Sequence, residues 1–185
     1  MLNLIETNLN ESGDIKLYPQ PYLEYLIYFH CQRDYFECHE VLEEYWKENE
    51  KNNKVWVGFI QLAVSMYHYR RGNFTGAKKQ IEKSIKIFEH EKNQLNTLGI
   101  DPETFFKLIN NQKVAIKNNL PYTPIALPIN KSLMEECIKK SKEKGILWGK
   151  EEIILTDKII HKHKLRDRSL IIEERKKQLN RRRKQ

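Results

Sequence analysis

The stretch Val55-Trp-Val-Gly-Phe-Ile-Gln-Leu-Ala-Val-Ser-Met-Tyr67 is apolar almost all the way round a helix, and such a helix has to be enclosed by protein or lipid. Lipid is excluded by length and interruption, because a span needs about 20 predominantly apolar residues. The stretch therefore reads as the central helix of a soluble core, with Gln61 in its middle buried. The rest of the chain must supply what surrounds it.

The preceding segment opens at Asp34, a good N-cap, with Glu37 three residues on, where a capping-box partner reaches back. Phe36, His39, Glu43 and Trp46 are spaced as neighbours on one face of this helix, and that row is expected to point inward. The loop near Lys51 to Asn53 is short, so the two helices should pack antiparallel. Facing positions then have a roughly constant sum, which sets His39 beside His68 and Glu43 beside Gln61. Gln61 and His68 lie two turns apart on one face of the central helix, so the four polar groups are expected to converge.

Two readings fit that cluster. In the first it is a buried hydrogen-bond network that fixes the fold, since each buried polar group left unpaired costs roughly 1–3 kcal/mol. In the second, His39, Glu43 and His68 are three ligands of a divalent transition metal with a fourth position open to water. Bundle cores do hold such sites. The chemistry would be a metal-dependent hydrolysis, with Glu40 or the water beside Gln61 handling the proton. No second Glu-x-x-His accompanies it, and Glu43 stands where the second histidine of H-E-x-x-H would be, so the network is the simpler account. His30 is a fifth candidate, although a histidine at a helix end more commonly caps the last turn or faces solvent. No Ser-His-Asp or Cys-His arrangement and no Walker-type phosphate loop can be argued.

The run Asp34-Tyr-Phe-Glu-Cys-His-Glu-Val-Leu-Glu-Glu-Tyr-Trp46, then Gly58-Phe-Ile-Gln-Leu-Ala63, His68 and Arg71-Gly-Asn-Phe-Thr-Gly-Ala77, resembles the bacterial domain-of-unknown-function 309 family. The resemblance covers roughly residues 20 to 90. It implies a small helical bundle of no established activity, and it groups His39, Glu40, Glu43, Trp46, Gln61, His68, Gly72 and Asn73. Beyond Asn130 nothing carries over.

Around this core, residues 1–18 read as a polar lead-in, and Pro19 and Pro21 bracket entry to a first helix, Tyr22 to Gln32. Gly72 ends the central helix and Asn73 caps the next, expected from Phe74 to about Leu98. That turn resembles the one inside a tetratricopeptide repeat, but no second copy follows at a period near 34 residues. Asp101-Pro102-Glu103 is a strong helix start, and the helix it opens must stop before Pro121. Residues 121–130 contain Pro121, Pro124 and Pro128, each restricting its predecessor to extended backbone. They read as a strap closing a core that spans 19–120. Residues 131–185 read as a helical extension, with helices from Lys131 to Lys144, from about Lys150 to His163, and from Arg166 or Asp167 onward. The expected class is all-α, a bundle of about five helices with a basic helical C-terminal extension.

Charge separates the two parts. The chain carries a net +8, yet residues 131–185 hold 18 Lys and Arg against 9 Asp and Glu, while residues 1–130 hold 15 against 16. The basic excess therefore belongs wholly to the extension. It concentrates in His161, Lys162, His163, Lys164, Arg166 and Arg168, then Arg175, then Arg181, Arg182 and Arg183. Cations clustered along helices are the footprint of nucleic-acid binding, though an acidic protein surface can meet the same tail. Cys31, Cys38 and Cys137 form no C-x-x-C pair, so they read as reduced thiols rather than a disulfide framework or zinc site. Met1 to Glu6 lacks the basic start and long apolar run of a signal peptide, and the expected location is cytoplasmic, with no membrane partner. The leading expectation is a non-enzymatic adaptor whose extension binds nucleic acid or another polyanion, and the alternative is the metal-dependent enzyme.

Overall fold

The computed structural model describes residues 18–149 and 156–165. Its elements are α1 (Gln20–Ile27), a π-helical turn (Tyr28–Gln32), α2 (Tyr35–Asn49), α3 (Lys54–Arg70), α4 (Phe74–His90), α5 (Lys92–Thr97), α6 (Pro102–Lys117), α7 (Lys131–Glu143), α8 (Asp157–Ile160) and α9 (Lys162–Leu165). The fold is all-α. Among the described residues β pairing is limited to a single bridge between Ile100 and Ile129. No helix among them is long and apolar enough to cross a membrane.

α3 is the axis of the molecule, and eleven of its seventeen residues are buried. Phe59 sits at the centre, its ring 5.5 Å from Tyr22, 5.6 Å from Tyr25, 4.9 Å from Phe88 and 6.3 Å from Phe105. Rings from α1, α4 and α6 thus meet on one side chain, mostly tilted or edge to face as aromatic quadrupoles prefer. α4 lies close against α3 because small residues line the crossing. A Cβ on Gly58 would fall 2.8 Å from the Phe88 ring. That closeness lets the Ser84 hydroxyl donate to the Gly58 carbonyl at 2.9 Å, and the Ser65 hydroxyl donate to the Ala77 carbonyl at 2.8 Å.

Caps set most boundaries where the residue types place them. The side chains of Asp34, Asn53, Asn73, Asp101 and Asn130 accept from backbone N–H groups of the turns they open. Two expectations are corrected. The helix predicted from Phe74 to about Leu98 breaks at Glu91 into α4 and α5. The helix predicted from about Lys150 to His163 is broken at His161 into the two short turns α8 and α9; its first part, 150–155, and the helix predicted from Arg166 lie outside the described residues.

The core also continues past residue 120. The proline strap lays Ile125 and Leu127 into it, and α7 adds Leu133 and Cys137 against α1. The strap is fastened along its length: the Tyr69 hydroxyl donates to the Leu120 and Pro121 carbonyls at 3.1 and 2.9 Å, and the Asn130 N–H donates to the Gly99 carbonyl at 2.8 Å. Extended backbone has few internal partners for its polar groups, so these bonds to residues outside it are what hold it.

Candidate functional site

The described chain converges on the junction between the end of α1 and the end of α3. The π-helical turn at Tyr28–Gln32 inserts an extra residue per turn, a feature often found where side chains must be re-aimed, and it closes on Arg33 with φ 53°. A left-handed non-glycine residue is strained unless its surroundings over-determine it. They do so here. The Arg33 guanidinium donates to the Phe29 and Ile125 carbonyls, and the Arg33 carbonyl accepts from the Arg70 guanidinium.

Asp34 follows, buried at 5% exposure, accepting from the Glu37 N–H at 3.1 Å. A buried carboxylate without a cation is costly, and its cation comes from the far end of the chain. Lys162 Nζ lies 2.6 Å from Asp34 Oδ2 and 2.8 Å from Glu37 Oε1. Burial works against the Lys162 ammonium, but its bonds to Asp34 and Glu37 outweigh that and raise its pKa. The Glu37 side chain is thus paired with Lys162, where a capping-box partner would have turned back on Asp34.

On α3, the Arg70 guanidinium carbon stands 5.1 Å from the Tyr35 ring centre and 5.8 Å from that of Tyr67, and Arg71 stands 5.3 Å from Tyr67. Arg70 also donates to the Ile159 carbonyl at 3.1 Å. Tyr67 takes the His163 backbone N–H at 3.2 Å and lies 2.6 Å from His163 Nδ1, while His163 Nε2 lies 3.3 Å from Arg71 Nη1. A guanidinium only donates, so Nε2 accepts and the ring proton sits on Nδ1, directed at the Tyr67 oxygen. The site holds cations against rings, carbonyls and two carboxylates.

The family described as "Domain of unknown function (DUF309)" matches residues 22–80. The uncharacterized protein YpuF of Bacillus subtilis (strain 168) is 43% identical over 171 residues, covering 91% of this chain and 98% of that protein. The chain belongs to the DUF309 family. No solved structure matches it.

The family segment runs from α1 into α4, and it contains Arg33, Asp34, Glu37, Tyr67, Arg70 and Arg71. Several of the groups these residues hold lie beyond it: the Ile125 carbonyl of the strap, the Ile159 carbonyl, Lys162 and His163. The polar face of the DUF309 segment therefore receives the strap and the α8–α9 turns of its own chain. Above it, Trp148 stacks on His30 with ring centres 5.2 Å apart. Burial first, and Arg33 second, push the His30 pKa down to about 3, so this histidine is neutral inside the fold rather than a member of the predicted cluster.

That cluster does not assemble as a unit. His39 Nδ1 pairs with its neighbour Glu40 at 3.1 Å, Glu43 pairs with Lys47 at 3.0 Å, and His68 Nδ1 lies 3.0 Å from Asn73 Nδ2. Gln61 Oε1 is buried without a hydrogen-bond partner among the described residues. Neither the four-membered network nor the ligand trio His39, Glu43 and His68 is formed, and no three His, Cys, Asp or Glu of the described residues are grouped to hold a metal ion. The reason is rotational. The buried row of α2 is Tyr35, Cys38 and Leu42, one residue and so about 100° round from the predicted row Phe36, His39, Glu43 and Trp46.

The displaced residues keep local work. The Trp46 indole N–H donates to the Lys51 carbonyl at 3.1 Å and closes the α2–α3 loop. His68, its pKa lowered by burial and by Arg71, accepts from Asn73. The Asn73 side chain in turn accepts from the Gly76 N–H at 2.9 Å, which secures the turn at Gly72, where φ is 72°. Burial pushes the Cys31 thiol up to about 11 and Cys137 up to about 12, and all three cysteines are free.

Of the predicted polyanion contacts, Lys162 and His163 are engaged with the DUF309 segment, and His161 is half-buried with Nδ1 unpartnered among the described residues. The side chains of Lys164, Arg166, Arg168, Arg175, Arg181, Arg182 and Arg183 lie outside the described set. Sequence reasoning missed Arg33, Tyr35, Tyr67 and Arg70. The available signal was the pair Arg70-Arg71 closing an otherwise apolar helix.

Proposed function

We propose that this protein is a non-enzymatic cytosolic adaptor whose C-terminal cations bind the phosphate backbone of nucleic acid. The observation that carries the reading is the charge separation: 18 cations against 9 anions after residue 130, and 15 against 16 before it. Each cation placed on a phosphate releases a counterion, which makes a run of this kind a driving force without any base contact. The arginines of the bundle support the same reading. Arg33 and Arg70 donate to carbonyls and Arg71 meets a histidine, and none of the three is in a salt bridge among the described residues.

The test is binding of a short DNA or RNA duplex across a salt series. Log affinity is expected to fall linearly with log salt, at about −0.9 per phosphate contacted. Deleting Arg181 to Gln185 should reduce the magnitude of that slope by about three or four units at most, since each lost cation removes up to one contact. Removing residues 166–185 should abolish binding and leave the bundle folded. Unchanged affinity after that truncation would place binding elsewhere. Absence of binding at low salt would leave an acidic protein surface as the partner for these cations.

A further inference from the structure

Lys162 belongs to the cationic run His161-Lys-His-Lys-Leu-Arg-Asp-Arg168, yet in the folded chain its ammonium is already taken by two carboxylates, of the α2 N-cap Asp34 and of Glu37, at 2.6 and 2.8 Å. Its neighbour His163 is likewise held, between Tyr67 and Arg71. We propose that Asp34 and Glu37 form an internal competitor for nucleic acid: they hold the α8–α9 arm on the DUF309 segment, and the tail reaches its full affinity only when that arm is released. The inference rests on the reading of the tail as a nucleic-acid contact, and it names how that contact is restrained.

Three features make the arm a releasable one. First, its attachment is largely polar: of the residues from Thr156 to His163 whose side chains are described, none is part of the apolar core, whereas α7 places Leu133 and Cys137 inside it. Release thus exposes little apolar surface, and contacts of that kind open at the low end of a protein's local stabilities. Second, the contacts are ionic or charge-assisted, and the Lys162–Glu37 pair is partly exposed, at 30% and 33% side-chain exposure, above an Asp34 that is 7% exposed. Salt and a competing polyanion act directly on such pairs. Third, the two carboxylates present oxygens to one ammonium as neighbouring phosphates would, so Lys162 cannot serve both. A ligand that needs the released arm has its affinity reduced by the fraction of molecules in which the arm is free, and by reciprocity the ligand must itself favour release.

Two substitutions weaken the hold while sparing the fold. Glu37→Gln removes one carboxylate from Lys162. Asp34→Asn removes the other and keeps a side-chain oxygen for the Glu37 N–H, since asparagine is as good an N-cap as aspartate. The experiment uses the full chain and a short DNA duplex, and measures backbone hydrogen exchange over residues 157–163 alongside affinity and its salt slope. Both variants should exchange faster over 157–163 at an unchanged unfolding midpoint. They should bind the duplex about threefold to tenfold tighter, with a slope steeper by about one unit as Lys162 gains a phosphate. Lys162→Gln should speed exchange over the same residues without the gain in slope. Wild-type binding that neither variant improves would overturn the competitor while leaving the proposed function standing. Failure of every chain to bind at low salt would overturn both.

Discussion

α3 and the α8–α9 arm are held to the same bundle by opposite means. α3 is enclosed by rings and aliphatic side chains, with Val55, Phe59, Leu62, Ala63 and Met66 fully buried. The arm is held by an ammonium between two carboxylates, a histidine between a phenol and a guanidinium, and one backbone carbonyl. Apolar burial is non-directional and carries no charge for salt to screen, whereas ion pairs at a partly exposed surface are worth less and are screened. One attachment sets whether the protein folds; the other sets where Lys162 and His163 lie.

The largest effect should come from the middle of α3. Phe59→Ala removes the ring on which Tyr22, Tyr25, Phe88 and Phe105 meet and should cost about 3–5 kcal/mol in urea unfolding, a large part of a domain's whole stability. A loss below about 1 kcal/mol would mean that α3 is not the axis the packing makes it.

Next comes α7, which lies beyond the strap yet shares the core. Leu133 is fully buried, so Leu133→Ala should lower stability by about 2–5 kcal/mol within a single cooperative transition. Two separate transitions would put α7 with the arm instead of the bundle.

A third prediction concerns pH. Burial and Arg33 depress the His30 pKa from 6.5 to about 3, so between those values the unfolded chain binds a proton that the fold excludes. Stability from the neutral ring is therefore fully present above about pH 6.5 and is lost as pH falls towards 3. His30→Phe, which keeps an aromatic face for Trp148, should flatten the dependence of the urea midpoint between pH 7 and pH 5. An unchanged pH dependence would assign it to another group.

The smallest effect should be confined to the arm. Tyr67→Phe removes the oxygen that accepts from the His163 N–H and meets its ring. It should weaken the local attachment by about 0.5–1.5 kcal/mol, seen as faster amide exchange over 157–163 with the global midpoint unmoved. An equal loss at the global midpoint would erase the distinction between the two attachments.

The central helix, the caps at Asp34, Asn73 and Asp101, the all-α class and the family were legible in the sequence, because each rests on local chemistry. The site was legible only in part. The row Phe36, His39, Glu43 and Trp46 has helical spacing, and so does Tyr35, Cys38 and Leu42. Spacing defines a stripe without saying which of two adjacent stripes faces the core. In the fold it is Tyr35, Cys38 and Leu42 that face inward, behind a π-helical turn and a left-handed Arg33.

By itself the sequence determined that Val55 to Tyr67 must be enclosed, that several helices open at short polar caps, and that the excess positive charge lies beyond residue 130. These follow from transfer free energy, from unpaired backbone donors and from counting, none of which needs a neighbour distant in the chain. Only the tertiary structure decided that Lys162 meets Asp34 and Glu37, 128 residues away in the case of Asp34, and that Ile125 and Leu133 join the core across the proline strap. Such pairings depend on how packed helices cross and where an extended segment is pinned, and a one-residue rotation of α2 changes every partner it has.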